Sequence, residues 1–286
     1  MRILLVGADG LVGAALRPEL AARGHLVDSG DMPACNVTLP ATLESFAGPA
    51  RHDWIINLAA VTDVDGCERD PAMADLVNGA GAGNAARFAA ARGARLLQVS
   101  TDYVFDGRKG SPYAEDDPPA PLSAYGRSKL AGERAAAEAL GADRLLIVRG
   151  QSLYGSARKS FPDAVLAAAR AKPAVPVVTD QVVSPTWAAD FAAGLADLVE
   201  AGASGIFHLS AVGSCTWNEF AREVLAGAGM DAGIVTGTTA AALGRPAPRP
   251  AYSVFDLGKF RERTGRFPRH WRDQLRAYLQ ATGRAA

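Results

Sequence analysis

Apolar residues along the chain fall into two kinds of stretch. Short, nearly continuous apolar runs occupy residues 3–6, 26–27, 54–58, 96–100, 145–148 and 206–209. Between them lie longer stretches rich in Ala, Leu, Glu and Arg, at 14–23, 72–92 and 124–140. A strand that is apolar at every position has both faces buried, as in a parallel sheet covered by helices on either side. The alternation therefore predicts an α/β fold, a doubly wound parallel sheet. The Ala-rich tracts keep apolar and Arg/Glu positions at helical spacing and are read as ordinary helices, with no internal repeat. After Val148 the rhythm changes, with Pro-containing stretches at 172–176 and 245–250 that suit a smaller lobe. The segments near 187–199 and 205–210 look like a return to the sheet. The expected division gives residues 1–150, with return segments near 187–210 and 252–257, to the main domain. Residues 151–186 and 211–286 then form a second, smaller, interleaved α/β lobe.

Charge narrows the set of partners. The 286 residues carry 30 acids and 30 bases, so no single-sign field is present to hold nucleic acid or an anionic membrane. Small molecules or other subunits are the expected partners. Cys35, Cys67 and Cys215 are odd in number and lack C-x-x-C spacing, which argues against a disulfide framework or a thiolate zinc site. The four histidines, His25, His52, His208 and His270, are scattered without ligand spacing, so no metal site is expected. The opening apolar run ends at Gly7 and Asp9, too soon for an export signal, and no later run reaches the ~18 residues that span a bilayer. A reducing, cytoplasmic location is expected.

Directly after the first apolar run stands Gly7-Ala8-Asp9-Gly10-Leu11-Val12-Gly13, leading into a helix. Glycines allow a tight turn and close backbone approach, and the helix N-terminus offers free N–H groups to a diphosphate. In this order of strand, loop and helix, the motif predicts dinucleotide binding by the main domain, with Gly7, Gly10 and Gly13 as its frame. The second strand ends near Asp31, about 20 residues further on, where a carboxylate can accept from the adenosine ribose 2′-OH. Asp28 competes for that role. No Arg directly follows Asp31 to hold a 2′-phosphate, which favours NAD(H) over NADP(H). The small residues of Asn57-Leu58-Ala59-Ala60-Val61 close another strand, as a backbone passing beside the cofactor requires.

A second constellation runs from Gln98-Val99-Ser100-Thr101-Asp102-Tyr103 to Tyr125-Gly126-Arg127-Ser128-Lys129. Ligands of open parallel sheets bind beyond the carboxyl ends of strands, where Ser100, Thr101, Asp102 and Tyr103 fall. Tyr125 and Lys129 are four apart at the start of a predicted helix and share a face. A nearby ammonium lowers a phenol's pKa, so the pair is able to give or take a proton, while the Thr101 hydroxyl holds the substrate oxygen. Arg249 is a guanidinium able to fork a diphosphate, and Trp187, Trp217 and Trp271 are read as core anchors of the second lobe.

These residues resemble the extended short-chain dehydrogenase/reductase superfamily and, within it, the dTDP-4-dehydrorhamnose reductase family. The resemblance covers nearly the whole chain. Its carriers are the glycine loop, residues 57–65 with Glu68, Asn78, residues 100–107 and 125–133, Asp180-Gln181 with Ser184-Pro185-Thr186, Phe207-His208 with Trp217 and Phe220, and Arg249-Pro250. It implies that Gly10, Leu11 and Val12 contact the cofactor diphosphate, that Asn36 and Val37 lie near the adenine, and that Ala60, Val61 and Thr62 lie beside the cofactor. It implies Tyr125 as proton donor with Lys129 as its partner, Thr101 and Asp102 meeting the sugar, and Thr62 with Val64 flanking the nucleotide of the substrate. Departures from the family pattern are Asn36 in place of an acid, Ser152 in place of a tryptophan, Ser160 in place of an asparagine and Val183 in place of a glycine.

The implied activity is NAD(P)H-dependent reduction of a nucleotide-linked 4-keto-6-deoxysugar, and since family members often pair, a homodimer. Two other readings stand beside it. An NAD-dependent sugar-nucleotide epimerase of the same superfamily uses the same frame but wants additional acid–base residues. Dehydratases typically carry Asp-Glu after the strand-end Thr, whereas here Asp102 is followed by Tyr103. A non-catalytic regulatory subunit of an S-adenosylmethionine-forming enzyme tends to lose parts of the catalytic set, which this chain keeps.

Overall fold

The computed structural model describes residues 1–286. Six parallel strands make the central sheet: β1 (Arg2–Val6), β2 (Leu26–Gly30), β3 (Trp54–Asn57), β4 (Arg95–Thr101), β5 (Leu145–Gly150) and β6 (Gly205–Leu209). Their order is β6-β5-β4-β3-β1-β2, so the winding reverses between β1 and β3. That reversal opens a crevice at the carboxyl ends of β1 and β3, where α/β proteins bind ligands.

The apolar pattern is explained by a core on each face. Ile3 and Leu5 of β1 point to one side and pack with Leu16 and Leu20 of α1 (Leu11–Ala22) and with Phe191, Leu195 and Leu198. Leu4 and Val6 point to the other and pack with Ala85, Ala86 and Phe88 of α2 (Gly81–Arg92) and Ala136 of α3 (Ala124–Ala139). The stretch 72–92, expected as one helix, is divided: a short turn at Pro71–Ala74, a π-helix at Asp75–Ala80, then α2. A π-turn inserts residues into the ladder and re-aims those around it; Asn78 lies in it.

A third core, built on Tyr154, Phe220, Trp271 and Tyr278, lies apart from the sheet. It gathers three helices, α4 (Phe161–Ala171), α6 (Trp217–Gly227) and α7 (Trp271–Ala281), and a parallel pair of strands, Val175–Val178 with Val235–Thr238. Between α4 and α6 the chain returns to the sheet, through α5 (Ala188–Glu200), whose Phe191 and Leu195 join the first core, and through β6. Tyr113 also bridges to Phe255. No helix is long and apolar enough to cross a membrane.

Where α3 meets β5, Glu133 and Arg149 form a fork–fork ion pair at 2.9 and 2.8 Å, with side chains 5% and 2% exposed. The guanidinium also lies over the Phe105 ring, 5.2 Å from its centroid. Beside it, burial and then the Arg149 charge push His208 down to about 3, so its imidazole is neutral. Glu133→Ala leaves a desolvated cation without its counter-charge. The expected loss is roughly 3–5 kcal/mol in urea unfolding, with Glu133→Leu/Arg149→Met recovering much of it. A single substitution that leaves the midpoint unchanged would show the pair to be idle.

Candidate active site

The glycine loop follows from the crowding of β1 and β3. Gly7 has φ +82°, and a Cβ there would stand 2.7 Å from the Ala59 nitrogen, so only glycine lets these two strand ends lie side by side. Gly13 presses on the Gly7 and Ala8 carbonyls in the same way. Gly10 is the N-cap of α1 and brings no side chain to cap it, nor is there an acid in the first turn. The first-turn N–H groups, those of Leu11 and Val12 among them, have no partner within the helix and sit at its positive end. The donors suit a dinucleotide diphosphate, so the residues present fit such a cofactor.

Asp31 stands immediately past β2, its carboxylate accepting from the Asp9 N–H at 3.0 Å and the Met32 N–H at 2.8 Å, which aligns it beside the loop. Asp28, the competing acid, is taken up elsewhere. Arg2 (2.7 Å) and His52 (2.7 Å) hold it mid-strand, and the hydrogen bond from Arg2 is the main cause holding its carboxyl below the usual range. Asn36 turns its carbonyl oxygen inward to the N–H and hydroxyl of Thr38 (2.9 and 2.8 Å), and Asn84 fastens the Val37 carbonyl at 2.7 Å. Past β3, Ala59 is held by Asn57 (3.1 Å), and Ala60 leads to Val61. Asn78 accepts from the Val61 N–H (2.9 Å) and donates to the Val61 carbonyl and Ser128 Oγ, both at 3.0 Å. One buried amide thus ties the β3 loop to α3.

The catalytic candidates meet where β4 ends. Ser123 caps α3 by accepting from the Gly126 N–H (3.2 Å), and Glu68 accepts from the Ala124 N–H at 2.8 Å. A Cβ on Gly126 would collide with the Tyr103 carbonyl, and one on Gly132 with that of Asn78. Glycine at both positions lets α3 lie directly on its neighbours, with Tyr125 and Lys129 turned towards β4. The Lys129 ammonium donates to the Val99 carbonyl at 2.7 Å, and burial pushes its pKa down to about 8 against the pull of Glu133. Tyr125 is buried, with its ring edge-on to Tyr103 at 5.4 Å. Burial raises its pKa well above the ordinary phenol value, only partly opposed by the neighbouring Thr101 hydroxyl. The expected lowering by Lys129 is absent, because the ammonium is tied to the strand carbonyl and desolvation dominates. Tyr125 is therefore a protonated phenol, a donor.

Thr101 Oγ1 donates to Asp102 Oδ1 (3.1 Å) and accepts from the Tyr103 N–H (3.3 Å), while the buried Ser100 hydroxyl has no protein partner. Asp102 stands a layer behind, 2% exposed. Its Oδ2 accepts from Ser253 Oγ at 2.6 Å and Gln151 Nε2 at 3.4 Å, and Gln151 Oε1 accepts from the Ser184 N–H at 2.8 Å. Burial, resisted by these bonds, lifts Asp102 to about 6.

A cleft of about 910 Å³ opens beside this wall. Thr62, Val64, Tyr103 and Arg249 line it, and so do Phe161 and Trp217, whose rings meet at 4.5 Å. Of the tryptophans expected to anchor the second lobe, Trp271 is fully buried, and Trp187 and Trp217 are half-buried against the third core; Trp217, at the first position of α6 after the Thr216 cap, also lines this cleft. Arg249 is forked on Asp65 at 3.1 and 2.9 Å, across the cleft mouth. Ser152 carries the chain's only positive φ outside glycine, +47°, a strained turn directly after Gln151. Gln151 and Ser253 escaped the sequence reading since no local pattern joins residues 102 apart; Asp65 and Ser184 lay inside the family stretches without a stated role.

The family model described as RmlD substrate binding domain matches residues 1–284. A dTDP-4-dehydrorhamnose reductase of Streptomyces griseus is 40% identical over 279 residues, covering 96% of this chain and 91% of the relative. A probable dTDP-4,6-dihydroxy-2-methyloxan-3-one 4-ketoreductase of Streptomyces antibioticus is 40% identical over 288 residues, covering 96% and 94%. The solved dTDP-4-dehydrorhamnose reductase of Bacillus anthracis, in complex with NADP, superposes with a TM-score of 0.93 at 31% identity, over 98% of this chain and 99% of that one. Because the match takes in both cores of the sheet and the third core beyond it, the chain as a whole belongs to the RmlD substrate binding domain family.

Proposed function

We propose that this protein reduces the keto group of a nucleotide-linked 4-keto-6-deoxysugar with NADH or NADPH. The observation that carries the reading is a phenol kept protonated by burial, that of Tyr125, beside the strand-end hydroxyl of Thr101. Relatives named as sugar-nucleotide ketoreductases support it. The reduced nicotinamide, when bound, supplies the hydride. The chain's own residues do the rest. Gly10 and the N–H groups of Leu11 and Val12 hold the diphosphate, Asp31 meets the ribose, Asn36 and Val37 border the adenine, and Ala59, Ala60 and Val61 pass beside the cofactor. Tyr125 gives its proton to the carbonyl oxygen, and Lys129, fastened to the Val99 carbonyl on the same helical face, is its ammonium partner. Thr62 and Val64 flank the nucleotide of the substrate, with Arg249 at the mouth of the cleft. Work on a small molecule in the cytoplasm, by paired copies of the chain, suits the balanced charge and the free thiols of Cys35, Cys67 and Cys215.

In a coupled assay with the keto sugar, Tyr125→Phe is expected to lose about 10²–10⁴-fold in turnover while cofactor binding persists. Normal turnover in that variant would sink the assignment.

Lys129 acts while charged, and its pKa lies near 8. Activity is thus present below that pH and lost as pH rises through it. In kcat/KM profiles Lys129→Arg should move this limb to more alkaline pH; an unmoved limb would remove Lys129 from the titration.

Residues 28–39 hold no Lys or Arg, and a 2′-phosphate would lie against the Asp31 carboxylate. NADH should give the higher kcat/KM, and Asp31→Ser should narrow the gap. A wild-type preference for NADPH overturns this part.

A further inference from the structure

The hydroxyl of Thr101 faces a conflict that the proposed reduction must resolve. An ionised carboxylate only accepts hydrogen bonds, and a hydroxyl has one proton and two lone pairs. With Asp102 ionised, the single proton of Thr101 goes to Asp102 Oδ1. One lone pair takes the Tyr103 N–H. A ketone oxygen also only accepts. In this state the Thr101 proton that should hold it is pointed elsewhere.

One proton on Asp102 reverses the arrangement. The geometry points to Asp102 as a positioning residue: protonated on Oδ1 it donates to Thr101 Oγ1, which frees the Thr101 proton for the substrate carbonyl. The proton must sit on Oδ1, because Oδ2 already receives the Ser253 hydroxyl and the Gln151 amide. It is not consumed, since the proton delivered to the sugar is that of Tyr125.

The surroundings suit this role. Asp102 is 2% exposed, and the groups bonded to its carboxylate, Thr101, Ser253 and Gln151, are all uncharged. The titratable side chains that sense it are the phenols of Tyr103 and Tyr125, and Arg249 and Arg245 act on Tyr103. Burial without a cation raises the carboxyl to about 6, inside the working range of a cytoplasmic enzyme.

This inference rests on the proposed reductase activity, and the experiment separates the two. The wild-type protein is assayed for keto-sugar reduction from pH 5 to 7.5, with Asp102→Asn and Ser253→Ala alongside. Wild-type kcat/KM should rise at least about tenfold on the acid side of the Asp102 titration, the scale of gaining an aligned donor at a developing oxyanion. In Asp102→Asn the donors at Oδ2 orient the amide with oxygen towards them and Nδ2 towards Thr101, mimicking the protonated acid. Its profile should be flat and hold the low-pH level. Ser253→Ala removes a bond to the ionised form, so the wild-type inflection should move to higher pH. A thermal melt distinguishes a misfolded variant from a slow one, and the Ser253→Ala shift tests the idea even if Asp102→Asn does not fold. A wild-type profile flat across this range, or an inflection that persists in Asp102→Asn, overturns the role of Asp102 while leaving the reductase standing. Absence of any wild-type turnover would instead defeat the reductase reading.

Discussion

The geometry of the site depends on one close approach, α3 lying backbone to backbone against the β4 end and the π-turn. Gly126 rests on the Tyr103 carbonyl and Gly132 on that of Asn78, with no side chain between. An added methyl at either position must push the helix outward, and Tyr125 and Lys129 would travel with it. A shift of an ångström is enough to spoil a proton transfer, which requires hydrogen-bond distance. Asn78 then extends the clamp to the Val61 loop, so that the cofactor side and the catalytic helix share one fastening.

The same contact removes water, and the lack of water sets the charge states. Desolvation penalises whichever form is charged, so it raises Tyr125 and Asp102 and lowers Lys129. The three shifts share one cause and suit reduction in different ways. A phenol that stays protonated can give its proton, and an acid and a base brought towards neutrality can titrate where an enzyme works. Glu133 and Arg149, buried close by, are paired with each other.

The periodicity made the sheet legible because strands buried on both faces have no freedom to be polar, as Ile3, Leu4, Leu5 and Val6 illustrate. The glycine loop and the Tyr125–Lys129 pair were legible for a related reason, since their chemistry requires fixed spacing within one turn or one loop. What escaped was long-range or environmental. The π-turn at Asp75–Ala80 has the composition of an ordinary helix, and only its packing on α3 distinguishes it. Trp217 carries the same aromatic signal as Trp271, yet one reaches from the third core to the cleft and the other is fully enclosed in that core. The phenol's pKa was misjudged because spacing shows which charge is near but not how much water is absent. Asp28 and Asp31 show the converse, two carboxylates alike in sequence that become distinct once Arg2 and His52 occupy one of them.

The hydrogen-bond chain from Thr101 through Asp102 to Ser253, Gln151 and Ser184 joins the end of β4 to segments that border the third core. Its members come from four separate stretches of sequence, and each polar atom in it depends on the next for satisfaction. In a dry interior a half-satisfied network is costly, so the two sides of the cleft cannot shift independently without breaking a bond in it. The strained backbone of Ser152, next to Gln151, is held by the same surroundings. Substrate placement on one side of the cleft and proton direction on the other are therefore linked through a single buried carboxylate. The requirement that a ketone meet donors, not acceptors, is imposed on the whole chain of bonds at once.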